Sequence, residues 1–130
     1  MKKCEILELV SLQGNCAYNE EAKNRFKQLA MKFVRVVIKE LGLVKGEYRI
    51  RYNPAGIAVS GDAGFITDRV YVDFNADGGG SGLGIMVRST KNMSDWTGGP
   101  NHWYGWGLIL AADNPVKSFA EFVRQTTRKE

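Results

Sequence analysis

The sequence predicts an α+β fold: a single antiparallel β-sheet of about five strands, with a long helix from the N-terminal half and a C-terminal helix packed on one face. Three observations carry this. Apolar residues recur every three or four positions near residues 19–41 and again near 115–123, the period of a helix that buries one side. Between those stretches the period falls to two, as in a strand with one buried face. The links between the alternating runs are too short for crossover helices, and short links require antiparallel neighbours. At 130 residues, 44% hydrophobic and 25% charged, the chain is read as one domain over 1–130.

The first stretch, EILELVSL at 5–12, alternates imperfectly and is read as a strand. From Asn19 onwards Ala22, Phe26, Leu29, Ala30, Phe33, Val37, Ile38 and Leu41 paint one face of a long helix. Asn19 is its cap, Glu20 and Glu21 suit the positive end of its dipole, and Gly42 stops it. YRIRY at 48–52 sets Tyr48, Ile50 and Tyr52 against Arg49 and Arg51, and residues 53–56 read as a turn into a strand at 57–60. FITDRVYVDF at 65–74 is read as one strand, with Ile66, Val70, Val72 and Phe74 inward and Arg69, Tyr71 and Asp73 outward. LGIMVRS at 83–89 repeats the pattern, with Leu83, Ile85 and Val87 inward and Met86 and Arg88 outward. The apolar run GLILAA at 107–112 reads as a buried strand. Asn114 then caps a helix with Pro115 at its first position and Val116, Phe119, Ala120 and Val123 on its buried stripe.

Several chemistries are disfavoured. The glycine-rich stretch at 75–84 lacks the spacing of either phosphate-loop fingerprint and precedes a strand rather than a helix, so it reads as a hairpin loop. Cys4 and Cys16 can form neither a disulfide framework nor a four-cysteine zinc site, and each reads as an idle thiol. The aspartates lie mostly where turns are expected. No catalytic residue, metal ligand or cofactor is therefore assigned. No run is long and apolar enough for a bilayer, and Glu5 and Glu8 break the apolar core a secretory signal needs, so the expectation is a cytoplasmic protein with no membrane partner.

Two surfaces are candidates for binding. If the apolar strand positions pack under the helices, Arg49, Arg51, Arg69 and Arg88 share the opposite face with Tyr71. Four arginines and an aromatic suit a phosphate backbone with an unpaired base, and the net charge of +4 leans the same way. The competing reading is a solvated face with cross-strand ion pairs to Asp73 and Glu47. The long helix also carries Lys23, Arg25, Lys27, Lys32, Arg35 and Lys39, which could follow a phosphate backbone or simply form its wet side.

The second surface is WTGGPNHWYGWG, residues 96–107, which holds all three tryptophans and the only histidine. Trp96, His102, Trp103, Tyr104 and Trp106 either plug one end of the core or are displayed for stacking. A core plug is favoured, because a small domain can ill spare three tryptophans. The alternation of Trp103, Gly105 and Gly107 against Tyr104 and Trp106 divides the rings between two faces.

The leading expectation is a non-enzymatic domain that contacts single-stranded or structured nucleic acid through the arginine face. Its rivals are a protein-interaction or inhibitory module with an Arg/Trp surface, and a small enzyme using His102 with nearby carboxylates. Homodimer formation through the sheet face or the tryptophan segment is a further option.

Overall fold

The computed structural model describes residues 1–13, 15–54, 56, 61–75 and 84–128, with the side chains of Asn75, Trp96, Thr97 and Arg128 also outside the description. Its elements are α1 (Lys3–Leu12), α2 (Glu20–Glu40), β1 (Tyr48–Asn53), β2 (Asp62–Thr67), β3 (Val70–Asn75), β4 (Ile85–Asn92), β5 (Asp95–Gly98), β6 (His102–Tyr104), α3 (Trp106–Ala111) and α4 (Pro115–Arg128). The strands form an antiparallel sheet in the order β1-β2-β3-β4. Beyond β4 the next position is shared: β6 pairs with the start of β4 and β5 with its end. This is the expected α+β architecture, with helices packed on the sheet.

Helix α2 forms where its apolar stripe predicts. Asn19 accepts a hydrogen bond from the Ala22 backbone N–H at 3.0 Å, and Phe26, Leu29, Ala30, Phe33, Val34, Val37 and Ile38 are buried. The helix ends at Gly42, which takes φ +73°. The Leu43 N–H then returns to the Ile38 carbonyl at 3.2 Å, the wrap that lets a left-handed residue satisfy terminal carbonyls. In α4, Asn114 accepts from the Lys117 N–H at 3.2 Å, and Phe119, Ala120 and Val123 are buried.

Three expected elements are corrected. Residues 5–12 are helical, not extended. Ile6 and Leu9, three apart, are both fully buried, and Glu5 accepts the Lys2 N–H at 2.9 Å to satisfy one free amide of the first turn. Charge pairs Arg25–Glu8 and Lys32–Glu5 fasten α1 to α2. The run at 107–112 is also helical, as α3 with Trp106 and Ile109 buried three apart. A short apolar run does not distinguish strand from helix, and length and packing decide.

The third correction divides 65–74 into β2 and β3. The chain reverses at Asp68-Arg69, where the Thr67 hydroxyl accepts from the N–H groups of Arg69 and Val70, each at 3.1 Å. Reversal exchanges the faces: Ile66 lies opposite Tyr71, not beside Val70, and so faces away from the helices. The expected strand at 57–60 and the glycine loop at 76–83, with Leu83, lie outside the described residues.

The core sits between the sheet and the helices. Phe65, Val72 and Val87 form one cross-strand row and pack with Phe33, Val37 and Phe119 in one cluster. Among the described residues, no helix is long and apolar enough to cross a membrane.

Candidate functional site

The register fixes the outer face of the sheet. One row reads Arg49, Ile66, Tyr71 and Arg88 across β1 to β4. The next reads Arg51, Gly64, Asp73, Met86 and Trp103 across β1 to β4 and β6. Thus Arg49, Arg51, Tyr71 and Arg88 share a face, joined by Trp103 from the aromatic segment. Arg69 does not stand on a strand as expected; it is exposed in the β2–β3 turn at one end of that face.

The face is more densely built than alternation alone suggests. Ile66, Tyr71 and Met86 form a small buried cluster on it, at 1%, 9% and 9% exposure. Tyr71 lies under two cations: the guanidinium carbons of Arg51 and Arg88 sit 5.1 Å and 5.0 Å from its ring centroid. Such contacts contribute about 0.5–2 kcal/mol, more when dry. Arg51 also donates a hydrogen bond to the Tyr71 hydroxyl. Burial pushes the Tyr71 phenol up from its usual range, with the charge of Asp73 adding to the shift. Tyr71 therefore holds arginines in place and has little free ring to offer a base.

Two aspartates complete the cluster. Asp62 lies two residues along β2 from Gly64, whose partner is Asp73, so the two carboxyls share a face and meet diagonally across β2 and β3. Burial, and then the hydrogen bond and repulsion from Asp62, raise the Asp73 carboxyl to about 8, against opposing pulls from Arg51 and Arg88. At neutral pH Asp73 is thus largely protonated, and the face retains a positive balance. The ion pairing expected of Asp73 and Glu47 gives way to other contacts, since Glu47 accepts the Val44 N–H at 2.8 Å.

The aromatic segment divides. Trp106 is 6% exposed and packs edge-on against Phe74, with ring centroids 5.6 Å apart. Tyr104 packs against Phe119 and Phe122 at 5.7 Å and 4.9 Å. Both rings plug the helix side of the sheet. Trp103, its side pointing the other way, is 42% exposed. His102 lies opposite Val87 on the inner face and is half-buried. Among the described residues, no group of three or more His, Cys, Asp and Glu side chains is placed to hold a metal ion. Trp96 has no described side chain.

The basic side of α2 is largely engaged within the fold. Lys23 donates to the carbonyls of Pro54 and Gly56 at 3.2 Å and 2.6 Å, and Arg25 and Lys32 pair with Glu8 and Glu5. Lys27 lies 5.2 Å from the Tyr52 ring centroid.

Sequence reasoning set Met86 outward, as the register confirms, but missed Asp62 as a member of the face and Ile66 as its apolar floor. Their signal lay in the Thr67-Asp68 pair, both turn-forming residues, which marks the reversal that sets the register. Comparison with protein-family models, curated proteins and solved structures gave no match.

Proposed function

We propose that the outer sheet face binds single-stranded nucleic acid, with Arg49, Arg69 and Arg88 contacting phosphates and Trp103 stacking on a base. The observation that supports this reading is the shared face of Arg49, Arg88 and Trp103 defined by the strand register. From β1 to β4 the arginine row spans three strand spacings, about 14 Å, enough to follow a backbone rather than grip one anion. Arg49 and Arg69 are exposed, and Arg88 is half-buried with a fixed orientation over Tyr71. Base stacking on an exposed ring is worth about 1–3 kcal/mol and tolerates sequence.

The role of the aromatic changes from the one the sequence suggests. Trp103 serves as the platform, and Tyr71 positions the cations. Fluorescence anisotropy of labelled single-stranded RNA and DNA tests the proposal. Binding should weaken as salt rises, with a log–log slope of about −2 for three phosphate contacts, and Trp103→Ala should weaken it further at every salt concentration. A protein whose affinity for either strand is independent of salt, or unchanged in Arg49→Ala/Arg88→Ala, does not bind in this way.

A further inference from the structure

A second site lies at the end of the sheet, where it shares Arg69 with the outer face. There the β2–β3 turn, the end of β4, the Gly98-Gly99 backbone and the last turn of α4 enclose a cleft of about 700 Å³, lined by Asp68, Arg69, Ser89, Thr90, Lys91, Gly98, Gly99 and Thr127. We infer that this cleft binds a phosphate-bearing ligand of nucleotide size.

Four features support the inference. The volume falls within the usual range for small-molecule sites, about 300–1,000 Å³. Two cations, Arg69 and Lys91, line the cleft against one carboxylate, Asp68. Neither cation is committed to an ion pair among the described residues. Ser89 lies opposite Val70, on the helix side, and is only 8% exposed, yet it lines the cleft.

The walls are fixed in place. The Thr90 N–H donates to the Arg69 carbonyl at 2.9 Å, and the Thr90 hydroxyl reaches the Thr67 carbonyl at 3.3 Å. Gly98 allows β5 to approach β4, since a Cβ there would stand 1.9 Å from the Ser89 carbonyl oxygen. The Thr127 hydroxyl donates to the Arg124 carbonyl at 2.8 Å, so part of the negative end of α4 is satisfied before a ligand arrives. Arginine and lysine at the mouth, with hydroxyl and backbone groups behind them, are the donor types that recognise phosphate oxygens.

A free mononucleotide and the phosphorylated end of a strand carry the same terminal phosphate monoester. The test is an amide chemical-shift titration of the intact protein with inorganic phosphate, AMP, adenosine, and a short oligonucleotide with either a 5′-phosphate or a 5′-hydroxyl. Saturable shifts at Thr90, Lys91, Gly98 and Gly99 are expected with AMP and not with adenosine. Arg69→Ala/Lys91→Ala should weaken AMP binding at least tenfold, and Ser89→Ala several-fold without loss of the folded spectrum. Stronger shifts with the phosphorylated oligonucleotide than with AMP identify a strand end as the ligand, and the reverse identifies a mononucleotide. Equal binding of AMP and adenosine, absence of saturable shifts with any phosphate-bearing probe, or an unaltered response in the double variant overturns the inference. Lys91→Ala alone leaves Arg49, Arg69 and Arg88 in place, so loss of AMP binding with retained binding of 5′-hydroxyl strands separates this site from the outer face.

Discussion

Arg88 and Tyr71 stand directly opposite each other on β4 and β3, with the guanidinium carbon 5.0 Å from the ring centroid. The pairing converts a flexible cation into an oriented one. Its buried Nε has no hydrogen-bond partner among the described residues, so the ring is what holds the group.

Replacing Tyr71 tests this arrangement. Tyr71→Phe keeps the ring and removes the acceptor for Arg51, and should cost about 0.5–1.5 kcal/mol in chemical denaturation. Tyr71→Leu should cost more, because both cation contacts are lost. Nucleic-acid affinity should fall further in the Leu variant than in the Phe variant, since oriented arginines lose their support.

The Asp73 carboxyl should make the protein less stable as pH rises. Its pKa is raised from 3.8 to about 8, by burial first and Asp62 second. The folded state therefore binds its proton more tightly than the unfolded chain does. That stabilising contribution is complete below the unfolded value and is lost as pH rises through about 8. Denaturation midpoints measured at about pH 5, 7 and 9 should decline across the series. Asp73→Asn should flatten the decline, and an equal slope in the variant would count against the shared proton.

Trp106 and Trp103 should respond in opposite ways to truncation. Trp106 packs at 5.6 Å and 5.8 Å from Phe74 and Phe33, so Trp106→Ala should cost about 3–5 kcal/mol. Trp106→Phe should cost less, because the indole Nε1 has no partner among the described residues and its removal relieves a buried donor. Trp103→Ala should shift stability by about 0.5 kcal/mol or less, as for exposed sites. Thermal melts of the three variants distinguish plug from platform.

Glu5 should hold α1 in place through its charge. It accepts from the Lys2 N–H and pairs with Lys32, and these contacts hold its carboxyl down at about 2. Its contribution is present above the ordinary carboxylate range and is lost only as pH falls through about 2. Glu5→Gln should speed amide exchange in α1 while leaving β3 and β4 protected.

Legibility followed the range of the interactions. Helix α2 was readable because its cap, its stripe and the glycine that ends it are local, and each matches the geometry at Asn19 and Gly42. Helix α1 was not, because EILELVSL fits either period and the deciding contacts, Arg25–Glu8 and Lys32–Glu5, come from another helix. The face of Ile66 was misread because a reversal at Asp68-Arg69, without glycine or proline, exchanges inward and outward positions. Arginines 49, 51 and 88 were placed correctly, since alternation within each strand suffices for them. What alternation could not reveal is that Tyr71 is spent on those arginines and that Trp103, from a short strand paired to β4, occupies the open part of the face.

The most direct measurement is a crosslinking map of a single-stranded oligonucleotide on the protein, with the modified peptides identified by mass spectrometry. The outer-face account predicts crosslinks concentrated on β4 around Arg88 and on β6 at Trp103, and their loss at high salt. Crosslinks confined to the helix side, or to α2, would contradict it.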